Sequence, residues 1–155
     1  MSEKSHVKVN KILLAVDKSG YKDKAAGYAI TLAKSLSAEV IAIHVIGNSS
    51  LGATRDVLGY YRGGKLKAYQ DALKKDAEKF LDKIVELGEK ENVAIKSEVM
   101  VGSPVKKVII DYAKKQKVDL IVIGSKGMTG IEKFVLGDVA HAVVSYAHCP
   151  VLAVR

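Results

Sequence analysis

The chain has 155 residues, 48% hydrophobic and 27% charged, with 25 Lys and Arg against 17 Asp and Glu for a net charge of +8. That supplies one domain with a substantial core and excludes a disordered chain, while two full domains would be a tight fit. No run approaches the roughly 18 apolar residues of a membrane span, and the lack of Trp with only 6% aromatics speaks against a single-strand nucleic-acid reader, which needs exposed stacking rings.

Residues 1–8 read as a flexible N-terminus with no apolar stretch resembling a signal peptide, and 9–155 as a single domain; a cytoplasmic location follows as an expectation. Residues 10–17 (NKILLAVD) are too brief for an ordinary helix and suit a first strand buried on both faces. Over 23–37, Ala26, Ile30, Ala33 and Leu36 recur at helical spacing. Residues 39–46 (EVIAIHVI) read as the second buried strand. A glycine-rich connection then runs over 47–64. It reads either as a bare crossover or as a lid whose Arg55 or Arg62 approaches phosphates.

A long amphipathic helix is expected over 65–90, its stripe formed by Leu66, Tyr69, Leu73, Ala77, Phe80, Ile84 and Leu87, with Gly88 as its stop. Its Lys74, Lys75, Lys79 and Lys83 are interleaved with Asp71, Asp76, Glu78 and Asp82. That pattern reads as a solvated face, which accounts for much of the basic charge without a polyanion; weak polyanion binding stays the alternative. Residues 93–101 alternate and predict a strand with one wetter face near a sheet edge. Pro104 is expected in the first turn of the next helix, which runs through Lys117. Residues 119–123 form a fourth strand, Val139 to Tyr146 mark a last helix, and 150–154 a fifth strand.

Strands alternating with helical crossovers predict a parallel sheet covered on both faces, an α/β three-layer sandwich. Ligands in such sheets sit beyond the carboxyl ends of the strands, here 15–19, 45–64, 101–104 and 124–139. The last of these, Gly124-Ser-Lys-Gly127 through Gly137-Asp138, leaves a buried strand, passes a glycine-rich turn and enters a helix. Glycines let a phosphate approach main-chain amides, and a helix N-terminus adds donors and partial positive charge. No Gly-Lys-Ser/Thr follows, so this is not a Walker A loop.

The spacing Gly124, Gly127, Gly137 resembles the glycine, two residues, glycine, nine residues, glycine pattern of the nucleotide-binding branch of the universal stress proteins. The likeness extends through KILLAVD, EVIAIHVI, VGSPVKKVI, VDLIVIGSKG and CPVLAVR. It implies the adenine nucleotide alpha hydrolase-like fold with strand order 3-2-1-4-5, and ATP or another adenine nucleotide between strands one and four. Carried over by position, Asp17 would face the ribose or a metal, and Val45 would line the adenine pocket through its backbone. Ala15 and Ile123 would touch adenine or ribose. Gly124, Gly127, Gly137, Asp138 and Val139 would cradle the phosphates, with Lys126 compatible with them. The resemblance also implies a homodimer paired through residues 150–154, no membrane association, and a regulatory module of the stress response with slow or absent hydrolysis.

Asp138 departs from the pattern, which has a hydroxyl residue there. It reads as the N-cap of the last helix, as a ligand with Asp17 of nucleotide-bound Mg²⁺, or as the loss of phosphate binding in a nucleotide-free dimeric scaffold. His44 reads as a hydrogen-bonded structural side chain, and His141, His148 and Cys149 make no zinc set. Cys149 cannot form an intramolecular disulfide. Ser19 and Ser103 belong to no hydrolase triad.

Overall fold

The computed structural model describes residues 5–17, 22–48, 65–125 and 136–155. Strands and helices alternate along them: β1 (Lys11–Ala15), α1 (Lys22–Leu36), β2 (Glu39–Ile46), α2 (Lys65–Lys90), β3 (Ile95–Val101), α3 (Val105–Lys115), β4 (Leu120–Gly124), α4 (Asp138–Tyr146) and β5 (Val151–Val154). All strand pairs are parallel and the order is β3-β2-β1-β4-β5, as the sequence led us to expect.

The period-two geometry of the strands sends alternate side chains into two cores. On one face Ile12, Leu14, Val40, Ala42 and Val122 pack against Ala26, Ala29 and Ala33 of α1 and Leu81 and Ile84 of α2. On the other, Leu13, Ile41, Ile43 and Ile121 meet Ile109 and Ala113 of α3 and Val143 of α4. Burial on both sides is why β1, β2 and β4 read as unbroken apolar runs. Each fully buried Leu or Ile contributes about 1.5–3 kcal/mol. At the sheet's margin β3 is half solvated, and Lys96, Ser97 and Glu98 are exposed there.

The amino-terminal ends of β1 and β4 are fastened together. Asn10 and Lys11 amides both donate to Asp119 Oδ2 (2.8 and 2.9 Å), and the Asp119 amide donates back to Lys11 C=O at 2.8 Å. Lys11 Nζ adds a bond to Gln116 C=O.

Three expectations change. Pro104 lies one residue before α3 as its N-cap, not inside the first turn. Gly88 does not stop α2, which runs on to Lys90; it permits a close approach, since a Cβ there would fall 2.6 Å from Ile95 Cγ1 and 3.0 Å from Val93 C=O. Leu36 and Leu87 are exposed near the ends of their helices, while Leu81, absent from the expected stripe, is buried.

Candidate functional site

β1 ends in the middle of the sheet, where the chain's connections depart to opposite sides. Such a switch point leaves a crevice beyond the carboxyl ends of the strands. Register brings Ala15 beside Ile43 on one side and Ile123 on the other, and Asp17 follows half-buried two residues past β1. At the end of β4 a Cβ on Gly124 would meet nothing within 4 Å among the described residues, so none of them closes that side of the strand. The buried Ser125 draws the chain back: its amide donates to Val154 C=O (2.7 Å) and its carbonyl accepts from the Gly137 amide (2.8 Å). The head of α4 is thereby set next to the end of β4.

Of the expected site residues, Ala15 and Ile123 are thus linked by register, Gly124 and Gly137 are brought together through Ser125, and Asp138 and Val139 follow Gly137 as the first residues of α4. Val45 sits on β2, paired with Met100 of β3. Lys126 and Gly127 lie outside the described residues, as do Arg55, Arg62, Ser19 and nearly all of the 47–64 connection.

The N-cap of α4 is Gly137, not Asp138, and no side chain among the described residues caps it. Asp138 is the first helical residue, and its side chain is 81% exposed with Lys106 Nζ at 3.3 Å. An acid there suits the positive end of the helix, and the lysine neutralises it. The Gly137 amide is committed to Ser125 and is not available to a phosphate, whereas the amides at 138–140 lie on the first turn of α4. These precede the first intrahelical bond, from His141 N–H to Gly137 C=O at 2.8 Å. Lys106, on the first turn of α3, escaped the sequence reading, which followed the strand ends only as far as Pro104.

The β1–β2 ladder also ends in an unusual way. Its last rung runs from the Val16 amide to Ile43 C=O at 3.0 Å. Strand pairing stops at Ala15 and Ile43, so the next rung, Val45 N–H to Val16 C=O, is not made. His44 Nδ1 lies 2.8 Å from the Val16 oxygen instead. A carbonyl only accepts, so Nδ1 carries the proton. The edge of Phe80 from α2 holds the imidazole in a T-shaped contact at 6.2 Å.

The other candidates are structural. Ser103 Oγ accepts from the Asn48 amide (2.8 Å), and His148 Nε2 donates to Val118 C=O (3.0 Å). Burial, followed by the Asp119 charge, pushes the Cys149 thiol up, away from the reactive thiolate. Tyr112, buried under α3, donates to Glu98 Oε2 at 2.7 Å; burial first and that carboxylate second raise its pKa. Among the described residues no group of three His, Cys, Asp or Glu could hold a metal, and no helix is long and apolar enough to cross a membrane.

Comparison with known proteins agrees with this architecture. The model of the universal stress protein family matches residues 8–155. A universal stress protein of Methanocaldococcus jannaschii is 37% identical over 145 residues, covering 94% of this chain and 81% of that protein. The solved structure of the universal stress protein UspA from Lactobacillus plantarum superposes with a TM-score of 0.82 at 26% identity, covering 97% of this chain and all of that one (100%). A more distant universal stress protein, from Archaeoglobus fulgidus and solved in complex with dAMP, shares the fold at a TM-score of 0.66 and 22% identity, over 96% of this chain and 100% of that one.

Proposed function

Because the chain belongs to the universal stress protein family, we propose that it binds an adenine nucleotide in the crevice beyond β1 and β4 and acts as a regulatory module through its bound state, with hydrolysis slow or absent. The observation that carries this reading is the head of α4, capped by no described side chain and held by Ser125 beside Gly124. Amides at the start of a helix attract phosphate oxygens through both their unpaired N–H groups and the helix dipole. The fold relative solved with dAMP is a precedent for a nucleotide in this architecture.

In this reading Ala15, Asp17, Val45 and Ile123 face base and ribose, while Gly124, Lys126, Gly127, Gly137, Asp138 and Val139 surround the phosphates. Asp138, exposed and paired with Lys106, acts there as a repulsive neighbour of the phosphates; the alternative, in which Mg²⁺ brought in on the nucleotide meets Asp17 and Asp138, predicts binding that depends on both the metal and Asp138. The short apolar β5, at the sheet's other edge, is the surface through which two copies would pair, since strand addition satisfies a free row of main-chain groups. Isothermal titration with ATP, with and without Mg²⁺, tests the proposal. Saturable heat in either condition is expected. No heat in both, at high protein concentration, refutes nucleotide binding and leaves a nucleotide-free scaffold acting through protein contacts.

A further inference from the structure

β2 outruns β1: its pairing with β1 ends at Ile43, whereas its pairing with β3 continues to Ile46. Main-chain groups of a strand point alternately to its two neighbours. Because Ile43 C=O serves β1 and Ile46 C=O serves β3's end at Gly102, the amide of Val45 points to the β1 side, past the last β1 rung. Its natural acceptor, Val16 C=O, is only one rung away and is held by the His44 imidazole. The ring comes from the α1/α2 face of the sheet, where Phe80 fixes it, and turns back over the strand end.

We propose that His44 is a positioning residue of the nucleotide site: by occupying Val16 C=O it stops the β1–β2 ladder one rung early and so keeps the Val45 amide available to the crevice. This rests on the nucleotide reading above, which supplies the contact of the Val45 backbone with the base, and adds to it the side chain that preserves that contact. An amide donor matches N1 of adenine, which accepts, and opposes N1 of guanine, which carries a hydrogen. A site built around one hydrogen bond rejects the mismatched partner because desolvated polar groups are left unpaired. Without the histidine, Val45 N–H and Val16 C=O satisfy each other and the donor is lost to the base.

Amide hydrogen exchange of the nucleotide-free chain, read by NMR, tests the device independently of any ligand. In the wild type the Val45 amide should exchange as an unpaired group, and strong protection there overturns the proposal without any variant. His44→Phe keeps the ring against Phe80 but removes the donor, and should raise Val45 protection at least tenfold. His44→Asn, whose amide nitrogen replaces Nδ1, should restore wild-type exchange. Binding is the second readout. The wild type should prefer ATP to GTP, and His44→Phe should lose at least fivefold of that preference while affinity for inorganic triphosphate is unchanged. Unaltered Val45 exchange or unaltered base preference in His44→Phe overturns the role of His44 while leaving nucleotide binding intact. A wild type that binds neither ATP nor GTP overturns base reading together with the proposed function.

Discussion

Replacing Asp138 by Ser, the hydroxyl that the nucleotide-binding pattern carries there, should strengthen ATP binding only modestly. Unit charges about 5 Å apart interact by about 0.8 kcal/mol at the dielectric constant of water and about 3 kcal/mol at an effective value near 20. The 81% exposure of the Asp138 side chain selects the aqueous limit. One phosphate charge then costs about fourfold in affinity and two about fifteenfold, reduced to about two- to fivefold by salt screening. Lys106, 3.3 Å from the carboxylate, opposes the repulsion with an attraction of similar size. Lys106→Ala should therefore weaken ATP by about the factor that Asp138→Ser gains, and the double variant should return to within about threefold of wild type. Titration calorimetry of the four proteins at two salt concentrations reads this cycle. A gain above a hundredfold for Asp138→Ser would place the carboxylate in a dry cleft and refute the reasoning. Loss of binding in that variant, confined to Mg²⁺ buffers, would identify Asp138 as a metal ligand instead.

Gly88→Ala gains about 1 kcal/mol of helix propensity but drives a methyl into Ile95 Cγ1, and overpacking costs about 1–3 kcal/mol, so a net loss near 1 kcal/mol is expected in urea unfolding. In an Ile95→Ala background the same change should turn stabilising; destabilisation of equal size there would show that Ile95 is not the obstacle. Tyr112 supplies the alkaline pH dependence. Its folded pKa lies above the unfolded value of 10.0, so the folded chain holds the phenolic proton longer, and this contribution to stability is intact below pH 10 and lost as the pH rises further. Urea midpoints between pH 8 and 11 should fall more steeply in the wild type than in Tyr112→Phe, and parallel curves would rule out the linkage.

The strands buried on both faces were legible because nothing interrupts their apolar runs; 39–46 and the long helix over 65–90 were placed to the residue. The strand order was available only through the family resemblance that the glycine spacing at 124, 127 and 137 carries, and the same spacing, local in sequence, drew attention to the end of β4. What escaped is non-local. Lys106 meets Asp138 across 32 positions and His44 reaches Val16 across 28, pairings created by helix packing and strand register. One of the three readings of Asp138, the N-cap, rested on Asp being a favoured cap, yet Gly137 takes that place, and the position of a helix start by one residue is beyond local propensity.

The double hydrogen bond of Asp119 to the start of β1 gives the crevice a fixed spine. The two halves of the sheet, β3-β2-β1 and β4-β5, are paired from there along β1 and β4 up to Ala15 and Ile123. The floor of the crevice is therefore clamped at two levels, by the Asp119 carboxylate at its base and by the Ala15–Ile123 pairing at its rim, so adaptation to a ligand falls to the segments beyond the strand ends.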